Sequence, residues 1–143
     1  MEARWRVRQV VNVVNLSTPL GLLLGAVGRC RFRRGPDGLV LATGFGIRVP
    51  APAFTVGNVV LLRLDDEALG RQPTLLVHEA RHATQYAWCV GPVMLPLYLL
   101  ASAWSLVRCG DPSSYNVFEV RAGLADGGYT HTRDRQRTDR GVA

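Results

Sequence analysis

The sequence predicts an α+β fold, in which an N-terminal helical segment and a short antiparallel sheet are followed by three further helices. Two observations lead to this class. Residues 29–64 are rich in β-forming side chains and are interrupted by turn residues. The run from Pro73 to Cys89, in contrast, contains no helix breaker. The length of 143 residues fits one domain with its own core.

The N-terminal segment is expected to be helical, with a break at Ser17-Thr18-Pro19. Ser17 or Thr18 could cap a second short helix that starts at Pro19. Three early arginines and an uncharged run over residues 9–28 imitate a signal peptide. Because Asn12 and Asn15 interrupt the apolar run and no small-residue cleavage site follows, we predict that the segment belongs to the fold.

The sheet is predicted from a turn and its flanking runs. Gly35-Pro36-Asp37-Gly38 separates Cys30–Arg34 from Leu39–Thr43, as in a β-hairpin. Residues 47–50 and 54–64 continue the strand character, and the acidic residues 65–67 end the sheet region.

Three helices are predicted after the sheet. The first runs from Pro73 to Cys89, the second covers residues 93–107, and the third covers residues 116–128. The polar residues 130–143 are predicted to form a disordered tail.

One uncharged run, residues 86–107, has 22 residues and is long enough to cross a bilayer. Pro92 and Pro96 interrupt it, and apolar runs of this kind also form core helices. Both a buried core helix and a membrane anchor therefore stay open.

The charge of the chain limits which partners it can bind, and its cysteine content indicates the cellular compartment. The net charge is +6, and all 17 basic residues are arginines. Arginines concentrate in the first 34 residues, where they form either a solvated face or a surface that attracts anionic lipid. Trp5 and Phe32 are the only aromatic residues interleaved with these arginines, and the pattern matches no recognised nucleic-acid module, so no nucleic-acid partner is expected. The three cysteines lack CxxC spacing and indicate reduced thiols in a cytoplasmic or membrane-associated protein.

The pentapeptide His78-Glu79-Ala80-Arg81-His82 carries the clearest chemistry. Histidines four residues apart share one helix face, so both could bind one Zn²⁺. Glu79 lies about 100° further round the helix, where it could act as the general base toward water. The alternative is a pair of surface histidines that lie one turn apart by chance.

A catalytic zinc ion usually has three protein ligands. The candidates for the third are Glu119, His131, Cys89, Asp111 and Asp126. Glu119 is favoured because the predicted helix lengths allow the third helix to return level with the histidines. Its competing role is the capping box that Asn116 and Glu119 could form, and the fallback ligand is His131.

Two motifs carry a family resemblance. An A-F-T-x-G strand and a downstream L-L-x-H-E-x-x-H-x-x-Q helix are matched at Phe54, Thr55, Gly57, Leu76, His78, Glu79, His82 and Gln85. The sequence resembles the bacterial zinc metallopeptidase family named after the core domain of extracellular contractile injection systems. The segment Asn116, Phe118, Glu119 and Ala122 is also similar to gluzincin peptidases.

This resemblance implies a single zincin-like domain over residues 1–129, with residues 54–64 as the strand beside the active helix. Family members usually carry a second glutamine after Gln85, where this chain has Tyr86. Gln85 could steady a metal ligand. The candidate donors to a developing oxyanion are Tyr86, Tyr115, Tyr129 and His131.

The function expected from these residues is zinc-dependent hydrolysis of peptide bonds in a peptide or protein substrate, with Glu79 as general base. A non-catalytic docking module of the same fold is one alternative. A membrane protein anchored through residues 86–107 is the other. The oligomeric state stays open.

Overall fold

A computed structural model of the chain describes residues 2–49 and 51–129, and the predicted tail at residues 130–143 lies outside them. The chain divides into two compact units, Met1–Met94 and Leu95–Ala143. The described residues form six α-helices and a four-stranded mixed sheet, which confirms the α+β class. A single zincin-like domain over residues 1–129 stays a prediction.

The first unit begins with two helices, α1 (Glu2–Val14) and α2 (Ser17–Val27). A break is present, but it lies at Asn15 and Leu16, where Leu16 has a positive φ of 67°, and not at the predicted Ser17-Thr18-Pro19, which are the first residues of α2. The predicted cap is wrong, because the N-cap position is Leu16 and not Ser17 or Thr18. The backbone N–H of Ser17 donates to Asn15 Oδ1 at 3.1 Å. Thr18 Oγ1 instead accepts a 3.1 Å hydrogen bond from the backbone N–H of Asn58.

The sheet contains β1 (Arg31–Arg34), β2 (Val40–Thr43), β3 (Ala53–Val56) and β4 (Val59–Leu62), in the order β1-β2-β4-β3. The predicted hairpin of β1 and β2 is confirmed. The prediction of an antiparallel sheet throughout is wrong, since β2 and β4 pair in parallel. All four residues of β4 are buried. A strand covered on both faces takes an inner place in a sheet, which leaves β3 at the edge.

The expectation of one strand over residues 54–64 is also wrong. Gly57 and Asn58 turn the chain between β3 and β4, which pair antiparallel. Gly57 has a φ of 65°, and a Cβ there would lie 2.4 Å from the backbone N of Thr18. Only glycine fits this turn, for both reasons. Residues 47–49 belong to no strand, and Pro50 lies outside the described residues.

Helices cover both faces of the sheet in the first unit. Toward one face lie α3 (Asp66–Gly70), which the sequence patterns do not predict, and α4 (Leu75–Trp88). Their apolar residues join alternate strand residues in the core: Leu39, Leu41, Ala53, Val60, Leu62, Leu69, Leu75 and Ala83. The opposite face receives α2, whose Gly21 lies against Val59.

Two helices occupy the rest of the chain, α5 (Met94–Cys109) and α6 (Val117–Ala122). Helix α6 ends earlier than predicted because Gly123 takes a φ of 88°, outside the helical region. The helical residues Gly91–Cys109 are long and apolar enough to cross a membrane, because an 18-residue stretch of them has a mean hydropathy of 1.3 and is 11% buried.

Candidate metal centre

Helix α4 places His78 and His82 on one face, one turn apart, as their spacing predicts. Both side chains are buried, with 2% and 6% of their surface exposed. Their Nε2 atoms lie 3.0 Å apart, and the two rings meet edge to face. Two ligands on a tetrahedral zinc ion are about 3.3 Å apart, so this spacing needs only a small adjustment to accept one.

Gln85 fixes the orientation of one of these rings. Its Oε1 lies 2.9 Å from His82 Nδ1, one turn further along α4. An amide oxygen can only accept, so this contact favours the His82 tautomer that carries its proton on Nδ1 and has a lone pair on Nε2. Hydrogen bonds of this kind select the tautomer that binds a metal through Nε2. Gln85 therefore lies where it can steady a ligand.

Glu79 is a buried carboxylate beside the histidine pair, with 3% of its surface exposed. Its Oε2 accepts a 2.7 Å hydrogen bond from the hydroxyl of Thr55 on β3. Burial, and after it the negative charge of Glu79, raises the pKa of Tyr86. The edge strand thus holds the carboxylate that the HExxH spacing marks as the candidate general base.

Helix α1 holds α4 in place through side-chain bonds to its backbone. Arg8 donates to Ala80 O at 3.2 Å, and Asn12 donates to Ala83 O at 2.8 Å. One turn later, Asn15 donates to the carbonyl oxygen of Tyr86 at 3.3 Å. These donors follow the helical repeat on both helices. They fix the rotation and the height of the helix that carries the histidines.

Glu119 lies in the first turn of α6 and is 2% exposed. The N-cap is Asn116, whose Oδ1 accepts from the backbone N–H of Phe118. A capping box would also require the N–H of Asn116 to meet Glu119, but that N–H donates to Ser113 O. The Glu119 carboxylate is instead bonded through Oε1 by the hydroxyl of Tyr98.

His78, His82 and Glu119 form a buried group that could hold a metal ion. Their ligand atoms all lie within 4.8 Å of one another. Among residues 2–49 and 51–129 no other cluster of three or more His, Cys, Asp or Glu has this arrangement. Two imidazole nitrogens and a carboxylate oxygen are a donor set that zinc takes in catalytic sites, where water fills a fourth position.

The other candidate residues have different surroundings. Asp111 Oδ2 accepts from the N–H of Ser114. The ring of Tyr115 lies under the guanidinium of Arg108, at 5.1 Å. Cys89 is half-buried after the end of α4. Tyr129 and Asp126 are half-buried, with their backbone N–H groups in local turns. His131 lies outside the described residues.

Three residues that support this group carry little or no signal in the sequence. Thr55 belongs to the A-F-T-x-G motif, but nothing in this motif shows that the Thr55 hydroxyl bonds to Glu79. Tyr98 sits within an apolar run, where no pattern marks it as a partner of a carboxylate. Asn12 stands out only as an interruption of an apolar segment. The signal for Asn12 is a polar residue within an apolar stretch of a predicted helix. Such a residue, if buried, needs hydrogen-bond partners.

No protein-family profile, curated protein or solved structure matches the chain significantly.

Proposed function

We propose that this protein is a zinc-dependent peptidase. The observation that carries the proposal is the buried group of His78, His82 and Glu119, with ligand atoms within 4.8 Å of one another. The group occurs on the helix that also presents Glu79, in the HExxH spacing whose chemistry is amide hydrolysis. The resemblance to the bacterial metallopeptidase family supports the same reaction through its motif.

The donor set fits zinc better than a harder cation. Calcium and magnesium take six or more oxygen ligands, whereas zinc accepts four ligands that include imidazole nitrogen. His82 is already oriented for Nε2 ligation by Gln85. Bound zinc supplies a Lewis acid for the scissile carbonyl.

Glu79 is the proton carrier in the proposed reaction. Its carboxylate takes a proton from the attacking water as the water oxygen bonds to the carbonyl carbon. The same proton passes to the leaving nitrogen as the carbon–nitrogen bond breaks. Thr55 holds Oε2 at 2.7 Å and so fixes the direction of the carboxylate. Edge strand β3 leaves backbone groups with which an extended peptide could pair.

The first experiment measures zinc per chain in purified protein, by elemental analysis after matched dialysis. We expect near-stoichiometric zinc in the wild type and in Glu79→Gln, because Glu79 is not a ligand. We expect zinc to be largely lost from His78→Ala and Glu119→Ala. Glu67→Ala removes an exposed carboxylate of α3 and should keep its zinc.

A wild type that stays free of zinc after reconstitution would overturn the proposal. If zinc binds as expected, peptide hydrolysis is measured next, and Glu79→Gln should remove most of it. A chain that binds zinc while Glu79→Gln changes no measured function would instead favour a non-catalytic docking module.

A further inference from the structure

From Val7 onward, helix α1 turns polar side chains inward and apolar side chains outward. Arg8 and Asn12 are buried and donate to the backbone of α4. The exposed apolar residues, at 51% to 75% of their surface, are Val7, Val10, Val13 and Val14. Water-soluble helices show the opposite arrangement, because folding removes apolar surface from water.

Helix α2 also exposes its large apolar side chains, because small residues form its buried face. It buries its small residues, Ser17, Thr18, Gly21 and Gly25. A Cβ on Gly21 would lie 2.4 Å from the backbone oxygen of Val56, so the helix backbone lies directly on the sheet. The large residues Leu22, Leu23 and Val27 remain 40% to 64% exposed. The core in the first unit is therefore built without the leucines of α2.

The two helices bend by 74° at a junction where Leu16 is 63% exposed. Together they are long and apolar enough for a broken span or a re-entrant loop. At 1.5 Å per residue the arms are about 20 and 16 Å long, so with both ends at one surface the bend reaches roughly 11 Å deep. This depth stays within one leaflet of a bilayer whose apolar core is ~30 Å thick.

Charge flanks this apolar surface at both ends. Arg4 and Arg6 are exposed in α1, and Arg29 and Arg31 are exposed just after α2. No charged residue occurs between Arg8 and Arg29. Arginines beside an apolar segment bind anionic headgroups, and their presence at both ends suits a loop that enters and leaves one leaflet.

We propose that residues 2–27 form a wedge that inserts into one leaflet of a membrane rich in anionic phospholipid. The exposed valines and leucines enter the acyl chains, and the four flanking arginines bind headgroup phosphates. This inference is independent of the proposed peptidase activity and of the apolar helix α5.

A removable signal sequence and a dimer interface both account less well for the apolar surface. A signal sequence has no reason to carry polar groups matched to the mature fold, yet Asn12 bonds both Asn58 and Ala83. A second copy of the chain, packed symmetrically on this surface, would bring like-charged arginines together. An anionic bilayer instead offers complementary charge.

The test is co-sedimentation of the full-length protein with phosphatidylcholine vesicles, with and without phosphatidylglycerol. We expect tighter binding to the anionic vesicles, weakened by salt. The double variant Val10→Asp and Leu23→Asp should reduce binding at least about tenfold. The matched control is Val77→Asp, since Val77 is a similarly exposed valine of α4 outside the wedge. Thermal unfolding shows whether each variant remains folded.

A depth measurement separates insertion from adsorption. Val14→Trp, in a background with Trp5, Trp88 and Trp104 changed to Phe, places a fluorophore beside the bend. Lipids brominated in the middle of the acyl chain or deeper should quench it more strongly than lipids brominated near the headgroup, because the bend lies roughly 11 Å deep in a leaflet whose apolar half is ~15 Å thick. Absence of quenching, or binding that the double variant leaves unchanged, would overturn the proposal. So would loss of binding only in Leu99→Asp, which alters α5. Self-association without vesicle binding would assign the surface to a protein contact.

Discussion

Thr55 Oγ1 donates a 2.7 Å hydrogen bond to Glu79 Oε2, and both side chains are buried. The bond joins the edge strand of the sheet to the helix that carries the histidine pair. A carboxylate held by a hydroxyl from a rigid strand has few rotamers to choose from, and its second oxygen is left in a defined direction. The position of the proposed general base thus depends on β3 as well as on α4.

Replacing Thr55 with Val should reduce the free energy of unfolding by about 1.5–3 kcal/mol. Valine has nearly the shape of threonine but no hydroxyl, so the buried Glu79 carboxylate loses this hydrogen bond. Denaturant titration of the two proteins measures the difference. Thr55→Ser retains the hydroxyl and should lose much less. Equal stabilities of the Val and Ser variants would show that the hydroxyl is dispensable. Zinc content should be unaltered in both, since Thr55 is not a ligand.

Asn12→Ala should destabilise the chain by about 1–3 kcal/mol. Asn12 is fully buried, and its Nδ2 donates to Asn58 Oδ1 and to Ala83 O. The substitution leaves those acceptors without this donor and opens a small cavity. Chemical denaturation of the variant checks the value. Val10→Ala, on the exposed side of the same helix, should change stability by no more than about 0.5 kcal/mol. Similar losses in the two variants would contradict the inverted polarity of α1.

Two glycine-to-alanine substitutions should change the stability of the protein in different directions. Alanine favours a helix over glycine by up to about 1 kcal/mol. At Gly70 a Cβ meets nothing within 4 Å, so Gly70→Ala should be neutral or slightly stabilising. At Gly21 the Cβ would meet a backbone oxygen at 2.4 Å, and overpacking of about 1–3 kcal/mol exceeds the helix gain. The melting temperatures of both variants, compared with that of the wild type, test this prediction. A Gly21→Ala protein that is more stable than the wild type would refute the close packing of α2.

Alkaline pH should destabilise the protein partly through Tyr86. Burial, followed by the charge of Glu79, raises the pKa of this phenol in the folded state. The folded protein therefore keeps a proton that the unfolded chain releases. The resulting stabilisation is complete below the unfolded tyrosine pKa of about 10 and is lost as pH rises above it.

The slope from one such group is at most about 1.4 kcal/mol per pH unit. Unfolding free energies of the wild type and Tyr86→Phe, compared between neutral pH and pH above 10, isolate this contribution. The free energy of the variant should fall less steeply. Parallel curves for the two proteins would assign the alkaline loss to other groups.

The elements that sequence reasoning predicts correctly carry strong local signals. The hairpin of β1 and β2 and the histidine helix follow from turn residues or periodicity, whereas the break after α1 lies just before the residues from which it is predicted. The choice of Glu119 as the third metal ligand stays a prediction, although the structure groups it with both histidines. These signals involve residues close in sequence, or helices whose lengths set where the chain returns.

The parts that escape prediction depend on distant residues. The parallel pairing of β2 with β4 is decided by which strand is covered on both faces, and that requires α2 in place. The orientation of α2 contradicts the usual rule that large apolar residues face the core, because Gly21 and Gly25 permit a closer approach than leucine would. Thr55 acquires its role only when α4 crosses β3.

The inner position of β4 also constrains the order in which the chain can fold. β4 lies between β2 and β3, although β3 precedes it in the chain. The β3–β4 hairpin involves only neighbouring residues and can form early, whereas its parallel docking onto β2 must close a loop of intervening chain. Until that docking occurs, the edge of β4 that will pair with β2 stays open, and an open apolar edge can pair with another molecule. Refolding yield should therefore fall with protein concentration, with the hairpin as the species that aggregates.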